Sequence, residues 1–216
     1  EHWRAAGRAR VPVGVNIGRS KVVDNAGAAD DYRASFAAIA DVADYVVVNV
    51  SSPNTPNLRA LQQRDELARV LDVVCGDNAK RQQPRPVLVK LAPDLPLDDA
   101  RGCAEAALQS GCRGLVLTNT TIDPTGLVGP VPEGPGGISG APLFARSTEL
   151  LRAIAAEFGG RLVLMGAGGI EDGATLKAKL DAGAALAQVY TGFVYGGPGF
   201  VRRTLRELLA LRASPV

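Results

Sequence analysis

The feature that most constrains this chain is a sixfold alternation of short apolar runs with longer amphipathic segments. Each apolar run is continuous, which is typical of strands covered on both faces of a parallel sheet. The six predicted strands are residues 11–17, 45–50, 86–91, 114–118, 161–166 and 185–190. The predicted helices are residues 31–43, 65–74, 97–109, 143–158, 172–182 and 200–212. Strict alternation of strands and helices predicts an α/β fold with a mostly parallel sheet.

The residues at the strand ends distinguish between the two folds that share this alternation. In a doubly wound open sheet a ligand recruits mainly the two strands beside the switch point. Here every predicted strand ends in a polar or glycine-rich segment: Asn16-Ile17-Gly18, Asn49-Val50-Ser51-Ser52, Lys90, Thr118-Asn119-Thr120-Thr121, Gly166-Ala167-Gly168-Gly169 and Tyr190-Thr191-Gly192. This pattern favours a TIM (β/α)8 barrel, whose site is built by the loops after all the strands.

Six units are two fewer than a closed barrel needs. The glycine-rich segments after the fifth and sixth strands resemble the phosphate site that barrels place after strands 7 and 8. We therefore expect residues 1–216 to form one partial barrel domain, strands 3–8, with the first two units absent. The chain begins with Glu1 and its only methionine is Met165, so we expect a processed or partial chain.

Composition excludes several classes of function. The 24 basic and 22 acidic residues are interspersed and give a net charge of +2, which argues against a nucleic-acid partner. One histidine and three cysteines without CxxC spacing cannot build a zinc cluster or a histidine-based triad, so no metal is predicted. No apolar run approaches the roughly 18 residues of a membrane span.

Two glycine-rich loops are candidates for binding phosphate. They are residues 166–169 and residues 134–140, and each precedes a predicted helix. Glycine lets an anion approach the backbone amides, and the helix dipole favours negative charge there. The alternative is that both loops are simple tight turns.

Amides and one lysine supply the other candidate ligands. Asn16, Asn49, Asn54 and Asn119 follow strands, where a neutral carboxamide suits the edge of a pyrimidine or an isoalloxazine, although asparagine also caps turns. Lys90 ends an apolar run and is expected to lie inside the barrel mouth, unless its ammonium extends to the rim.

Seven strings in order resemble one known family. They are VGVNIGRSK, VVVNVSSPNTPNLR, VLVKLAPDL, LVLTNTT, GGISGAPL, MGAGGI and QVYTGFVYGGP, and they are similar to the quinone-dependent (class 2) dihydroorotate dehydrogenases. The resemblance implies an FMN-containing barrel that oxidises dihydroorotate to orotate in pyrimidine biosynthesis, with quinone as electron acceptor. It implies that Ser52 is the catalytic base. It also implies substrate binding by Asn49, Asn54, Asn119 and Thr120, and FMN binding by Asn16, Asn49, Lys90, Thr118, Gly140, Gly169, Tyr190 and Thr191.

Ser52 bears on the class of the enzyme. The related soluble class resembles this loop but has cysteine at that position, so the serine favours quinone as acceptor. In the family an N-terminal segment docks on the membrane, which implies a peripheral enzyme at the cytoplasmic side of the cell membrane. The alternatives are another FMN barrel acting on a related pyrimidine, or a truncated, non-catalytic fragment. Asn57 occupies a position where the family commonly has glycine. Glycine adopts a positive φ freely, and asparagine tolerates one.

Overall fold

The computed structural model describes residues 11–127, 129, 131, 134 and 136–213. Its six strands are β1 (Gly14–Gly18), β2 (Tyr45–Asn49), β3 (Val87–Leu91), β4 (Gly114–Leu117), β5 (Val163–Ala167) and β6 (Leu186–Gln188). All neighbouring strands are parallel, and their order in the sheet is their order in the chain. A doubly wound sheet would reverse its order at a switch point, so the sequential order agrees with the barrel-type interpretation of the strand ends.

Seven α-helices follow the strands in the described part of the chain. They are α1 (Ala28–Ile39), α2 (Arg64–Ala79), α3 (Leu97–Gln109), α4 (Phe144–Phe158), α5 (Gly173–Asp181), α6 (Thr191–Gly196) and α7 (Phe200–Ala213). Short 3-10 helices cover Leu58–Gln62 and Ala141–Leu143. The predicted helices are confirmed with shifted ends. Helix α6 is not among the predicted helices, because its sequence TGFVYG is short and contains two glycines, which are poor helix formers.

The two faces of the sheet carry different apolar clusters. On one face, strand residues such as Val48, Val89 and Leu115 pack with buried side chains from α1 to α4. On the other face, Val47, Leu88, Val116, Met165 and Ala167 form a smaller cluster that includes no helical residue. Helices on one face and a closely filled opposite face are the arrangement of a sheet curled into part of a barrel.

The concave face is filled by side chains and not by helices. Gly14 is paired with Tyr45 in the β1–β2 register, and a Cβ on Gly14 would lie 2.0 Å from Cζ of that tyrosine. The tyrosine ring therefore occupies the space above the glycine. At the opposite edge of the sheet, β6 is exposed over its whole length.

Local capping follows the sequence at several helix ends. Asp172 forms a capping box with Thr175 at the start of α5, which satisfies backbone N–H groups of the first turn. Gly111 and Gly183 follow helices with φ of +85° and +103°, the left-handed conformation that glycine adopts readily. Asp98 and Asp99 lie in the first turn of α3 without making a side-chain cap. No helix in the described ranges is both long enough and apolar enough to cross a membrane.

Candidate functional site

A cavity of about 390 Å³ opens at the carboxyl ends of β3 to β6. The parallel register brings these ends to one rim, because Asn49 pairs with Lys90, and Lys90 pairs with Val116. Residues that line the cavity are Lys90, Thr118, Asn119, Thr120, Gly137, Ser139, Gly140, Leu143, Ala167, Gly168, Gly169, Ile170, Gln188, Val189, Tyr190, Thr191 and Gly192. The cavity therefore collects residues from four successive strand ends and the loops that follow them.

Most of the predicted ligands belong to this cavity. Six of the eight predicted FMN-binding residues line it: Lys90, Thr118, Gly140, Gly169, Tyr190 and Thr191. Asn119 and Thr120 of the predicted substrate set also line it. Asn16, Asn49, Ser52 and Asn54 lie outside its lining, on β1, on β2 and in the loop after β2.

A polar network joins the ends of β2 and β4 beside the cavity. The Asn119 side-chain amide donates to Ser51 Oγ at 3.0 Å and to Asn49 Oδ1 at 3.3 Å. Ser51 Oγ in turn donates to Asn49 Oδ1 at 2.8 Å. The Asn119 Oδ1 accepts the backbone N–H of Thr120 at 2.8 Å. These bonds orient both asparagines and hold the loop after β4 against the loop after β2.

Ser52 and Asn54 lie in the loop after β2. The Ser52 hydroxyl is partly exposed and accepts the Asn54 backbone N–H at 3.2 Å. This bond occupies one lone pair and leaves the hydroxyl proton and the second lone pair available. The Asn54 side chain is exposed. Asn57 has a φ of +56°, the only positive φ of a described residue other than glycine, a conformation that asparagine tolerates.

Lys90 extends across the concave face. Its Nζ donates to Gln188 Oε1 on β6 at 3.2 Å, and no described carboxylate forms an ion pair with it. Burial lowers the pKa of Lys90 below its usual value. Burying an ammonium without a counter-charge costs free energy unless an anion or several oriented dipoles lie close to it. Gln188 was not among the predicted site residues, since a glutamine inside a three-residue strand has no distinctive sequence signal.

The glycine loops meet at one end of the cavity. A Cβ on Gly169 would lie 2.4 Å from Phe144 Cβ and 2.9 Å from Phe144 N, and the φ of Gly169 is +73°. A Cβ on Gly140 would lie 3.1 Å from Thr191 Cγ2, and Ser139 and Thr191 share a hydroxyl hydrogen bond of 2.8 Å. The loops after β4, β5 and β6 are thus in direct contact. At Gly140 and Gly169 this contact leaves little room for a side chain.

Arg59 links three of the loops around the site, and the sequence analysis did not identify it. Its Nε donates to Ser51 O at 3.1 Å, its Nη2 to Thr120 O at 2.9 Å, and its Nη1 to Asp94 Oδ2 at 2.7 Å. Asp94 also accepts from Thr121 Oγ1 and from Arg146. We name this set, Arg59 with Ser51, Asp94 and Thr120, the Arg59 bridge. It connects the loops after β2, β3 and β4 on the outer side of the cavity.

The arrangement suits a flat, polar ligand that carries an anionic end. Glycine-rich backbone at one end offers N–H donors, while Lys90, Thr118 and the asparagine network surround the other end. Ser52 follows Ser51, whose hydroxyl belongs to this network. The described residues contain no group of three or more His, Cys, Asp or Glu side chains that could hold a metal ion.

Comparison with known families gives a consistent match. A family model described as dihydroorotate dehydrogenase matches residues 1–211. A dihydroorotate dehydrogenase (quinone) of Kineococcus radiotolerans is 50% identical over 209 residues, which covers 94% of this chain and 57% of the relative. A relative of the same name from an Arthrobacter species is 48% identical over 206 residues, covering 92% of this chain and 57% of the relative. The chain thus spans little more than half the length of these relatives.

Solved structures show the same fold. The ligand-free dihydroorotate dehydrogenase of Eimeria tenella superposes with a TM-score of 0.88 at 35% identity, covering 98% of this chain and 63% of that chain. The same protein in complex with ferulenol has a TM-score of 0.81 at 36% identity, covering 92% of this chain and 57% of that chain.

Proposed function

Since the chain belongs to the dihydroorotate dehydrogenase family, we propose that it carries the site that oxidises dihydroorotate to orotate, with FMN as cofactor and quinone as final electron acceptor. The observation that carries this proposal is the cavity at the strand ends. It combines glycine-rich loops, a Lys90 that forms no ion pair with a described carboxylate, and the side chains of Asn119 and Thr120, to which the resemblance assigns the substrate.

The phosphate end of FMN fits the meeting point of the glycine loops. No hydrogen bond among the described residues uses the N–H groups of Gly168 or Gly169, so both donors are available to an anion. Gly140 and Thr191 complete this end, and Ser139 fixes the Thr191 hydroxyl. A side chain at position 169 would collide with Phe144, so glycine is required for the loop to pack this closely against the start of α4. The support for a phosphate site is the set of unused N–H groups that this loop presents to the cavity.

The ring end of FMN fits the concave face. Lys90, Thr118 and Tyr190 would contact it inside the cavity, and Asn16 and Asn49 would reach it from β1 and β2. Residues 16 and 47 are paired in the sheet, so Asn16 belongs to the same face as Val47, Asn49 and Lys90. Lys90 would place a positive charge where electron density increases during the reaction. FMN supplies the acceptor for the hydride that leaves C6 of the substrate.

The substrate would be held by Asn49, Asn54, Asn119 and Thr120. Orotate formation removes a proton from C5 and a hydride from C6, and leaves a double bond between these carbons. Ser52 would take the C5 proton. An alcohol is a weak base near neutral pH, so its competence depends on position and on passing a proton onward to water or to Thr120. The Asn54 N–H bond to Ser52 Oγ supports this role, because it directs the remaining lone pair of the hydroxyl.

The proposal also includes the electron acceptor and the place where the enzyme works. Ser52, in place of cysteine, supports the quinone-dependent class. Because quinones dissolve in the bilayer, the enzyme would work at the cytoplasmic side of the cell membrane as a peripheral protein. The described strands would correspond to strands 3–8 of a single (β/α)8 barrel domain. The exposed edge strand β6, on which Leu186 is 53% exposed, supports a sheet that continues beyond these six strands.

The test is to purify the protein as its full native chain and to measure its mass, its flavin spectrum and its activity. We expect a yellow protein that oxidises dihydroorotate with a soluble quinone and is much slower with fumarate or NAD. The Ser52→Ala variant should keep its colour and lose activity. A full chain that binds no flavin, or one that prefers fumarate or NAD, would contradict the proposal.

A further inference from the structure

Lys179 is a buried cation that the proposed mechanism does not use. It lies on α5, behind the carboxyl end of β5, and is completely inaccessible to solvent. Its Nζ donates to Ser147 Oγ at 2.5 Å and lies 5.2 Å from the centre of the Phe144 ring. A Cβ on Gly166, at the end of β5, would lie 3.3 Å from Lys179 Cβ. The ammonium is therefore packed beneath the glycine-rich loop after β5.

No charged group compensates Lys179 among the described residues. The charged residues on the surrounding elements are Lys177 and Asp181 on α5, Arg146, Glu149, Arg152 and Glu157 on α4, Arg202, Arg203, Arg206, Glu207 and Arg212 on α7, and Glu171 and Asp172 before α5; β5 and β6 carry none. Lys177 pairs with Asp181, Arg146 pairs with Asp94 and Asp123, and Glu207 accepts the Gly173 N–H. None of them bonds to Lys179. Desolvation lowers the pKa of Lys179 to about 7, as expected for an isolated buried ammonium.

Ser147 connects this charge to the cavity. Its hydroxyl lies within hydrogen-bond distance of Gly168 O at 3.3 Å and of Phe144 O at 3.2 Å. Because Lys179 donates to the Ser147 oxygen, the serine proton is left to bond one of these carbonyls. The Gly168–Gly169 peptide is trans, so its N–H points away from its C=O. Holding the Gly168 carbonyl toward Ser147 therefore turns the Gly169 N–H away from Ser147, and Gly169 lines the cavity.

We propose that Lys179 is a positioning residue for the phosphate of the bound flavin: through Ser147 it fixes the Gly168–Gly169 peptide, and it supplies the positive charge beneath the anion. This inference rests on the proposed function, because it takes FMN as the ligand of the cavity. The missing counter-charge of Lys179 is then the phosphate itself, separated from the ammonium by one serine and one peptide unit. The cation is tolerated in the core because the holoprotein brings a dianion close to it.

The proposal links flavin binding to proton uptake. Above about pH 7 the phosphate monoester is a dianion, since its second pKa is near 6. A dianion near Lys179 favours the protonated amine, so binding raises its pKa and draws a proton from solvent wherever the apoprotein has lost it. FMN affinity must then fall as the pH rises above 7. Riboflavin, which lacks the phosphate, should show no such decline.

The experiment titrates the full-chain apoprotein with FMN, with riboflavin and with inorganic phosphate between pH 7 and pH 9, using calorimetry in two buffers of different ionisation enthalpy. For the wild type we expect FMN affinity to fall about tenfold over this range and protons to be taken up on binding. Lys179→Met should weaken FMN binding about tenfold or more at pH 7, abolish the pH dependence, and leave riboflavin binding within about twofold. Lys177→Met, on the exposed side of the same helix, is the matched control and should behave as the wild type.

Each other result has a definite meaning. Equal FMN affinity in Lys179→Met and wild type, or equal weakening of FMN and riboflavin, would overturn the positioning role and leave the proposed function standing. If Lys179→Met does not fold, two other measurements test the role of Lys179. It would be refuted if the wild type took up no protons on binding FMN and if Ser147→Ala did not weaken FMN binding more than riboflavin binding. A wild type that binds neither FMN nor inorganic phosphate would overturn both proposals. Phosphate binding that depends on Lys179, without FMN binding, would refute the proposed function and the flavin as ligand, and would leave Lys179 as the positioning residue of a phosphate site.

Discussion

The Arg59 bridge predicts a large and specific loss when Arg59 is replaced by methionine. This change keeps much of the side-chain volume and removes three hydrogen bonds, to Ser51 O, Thr120 O and Asp94 Oδ2. The side chains of Arg59 and Asp94 are 21% and 17% exposed, so the pair is largely but not fully desolvated. Breaking a fully buried pair costs about 3–5 kcal/mol, and partial exposure reduces that. We expect the free energy of unfolding to fall by about 2–4 kcal/mol.

Arg64→Met is the matched control. Arg64 pairs with Glu105 at 3.4 Å, and these side chains are 52% and 48% exposed. An exposed pair contributes about 0–1 kcal/mol, so the control should lose little. Both variants would be compared by urea unfolding of the full chain, with the midpoint and slope measured for each.

The Arg59 variant should also be slower in dihydroorotate oxidation, because Ser51 and Thr120 are neighbours of the proposed base and substrate ligand. Equal losses of stability in the two arginine variants would refute the reasoning, since they would show that the three loop contacts contribute no more than an exposed ion pair. A destabilised Arg59 variant with unchanged oxidation rate would show that the bridge supports the fold and not the site.

The remaining predictions concern the cavity. Ser52→Ala should leave FMN affinity unchanged and slow flavin reduction by dihydroorotate about 10²-fold or more. Ser52→Cys should keep part of the activity with a shifted pH profile, because a thiol ionises near pH 8.5. If stopped-flow measurements show flavin reduction at the wild-type rate in the alanine variant, Ser52 is not the base. The Lys90→Met variant should lose its bound FMN, or its flavin should be reduced by dihydroorotate much more slowly. The control Lys80→Met, at a side chain that is 78% exposed, should behave as the wild type. Equal flavin retention and equal reduction rates in the two variants would contradict the role of Lys90. Gly169→Ala should destabilise the protein by about 2 kcal/mol or more through its positive φ and its contact with Phe144, and a stable, fully flavinated variant would exclude the cradle. Because burial lowers the pKa values of Lys90 and Lys179, the unfolded chain binds more protons than the folded apoprotein just above pH 7, and apoprotein stability should rise between about pH 7 and pH 8. Above about pH 8.5 burial of Cys103, which raises the pKa of its thiol to about 12, opposes this rise, because the unfolded thiol ionises first. Thermal unfolding that shows a flat or falling profile between about pH 7 and pH 8 would contradict the two depressed pKa values.

Much of the architecture follows from local patterns. Continuous apolar runs alternate with amphipathic segments, and this alternation predicts the strands and most of the helices, because a parallel strand is buried on both faces and a helix on one. Asn57 and Asp172 behave as their residue types predict, the first with a positive φ and the second as an N-cap. The concentration of polar residues at strand ends predicts a site at one rim, since parallel strands bring their carboxyl ends together.

Other features depend on contacts that no local pattern contains. Helix α6 exists although its sequence is a poor helix former, because Gly192 packs against Phe200 and the Ile170 carbonyl. The Arg59 bridge joins residues up to 61 positions apart, and Lys90 meets Gln188 across 98 positions. A lone arginine or glutamine in a sequence gives no sign of such partners.

Lys179 illustrates the difference best. In the sequence it is one of two lysines on a predicted helix, two positions from Lys177, and charged residues on helices are usually exposed. The spacing of Lys177 and Asp181 allows an i,i+4 pair within the helix, but only the packing of α5 against β5 and α4 shows that Lys179 is buried beneath the glycine loop. The sequence alone determines where strands, turns and polar strand ends lie, because these depend on residues close together in the chain. Which side chains are desolvated, and which charge lacks a partner, depends on how distant segments pack, and only the tertiary structure decides that.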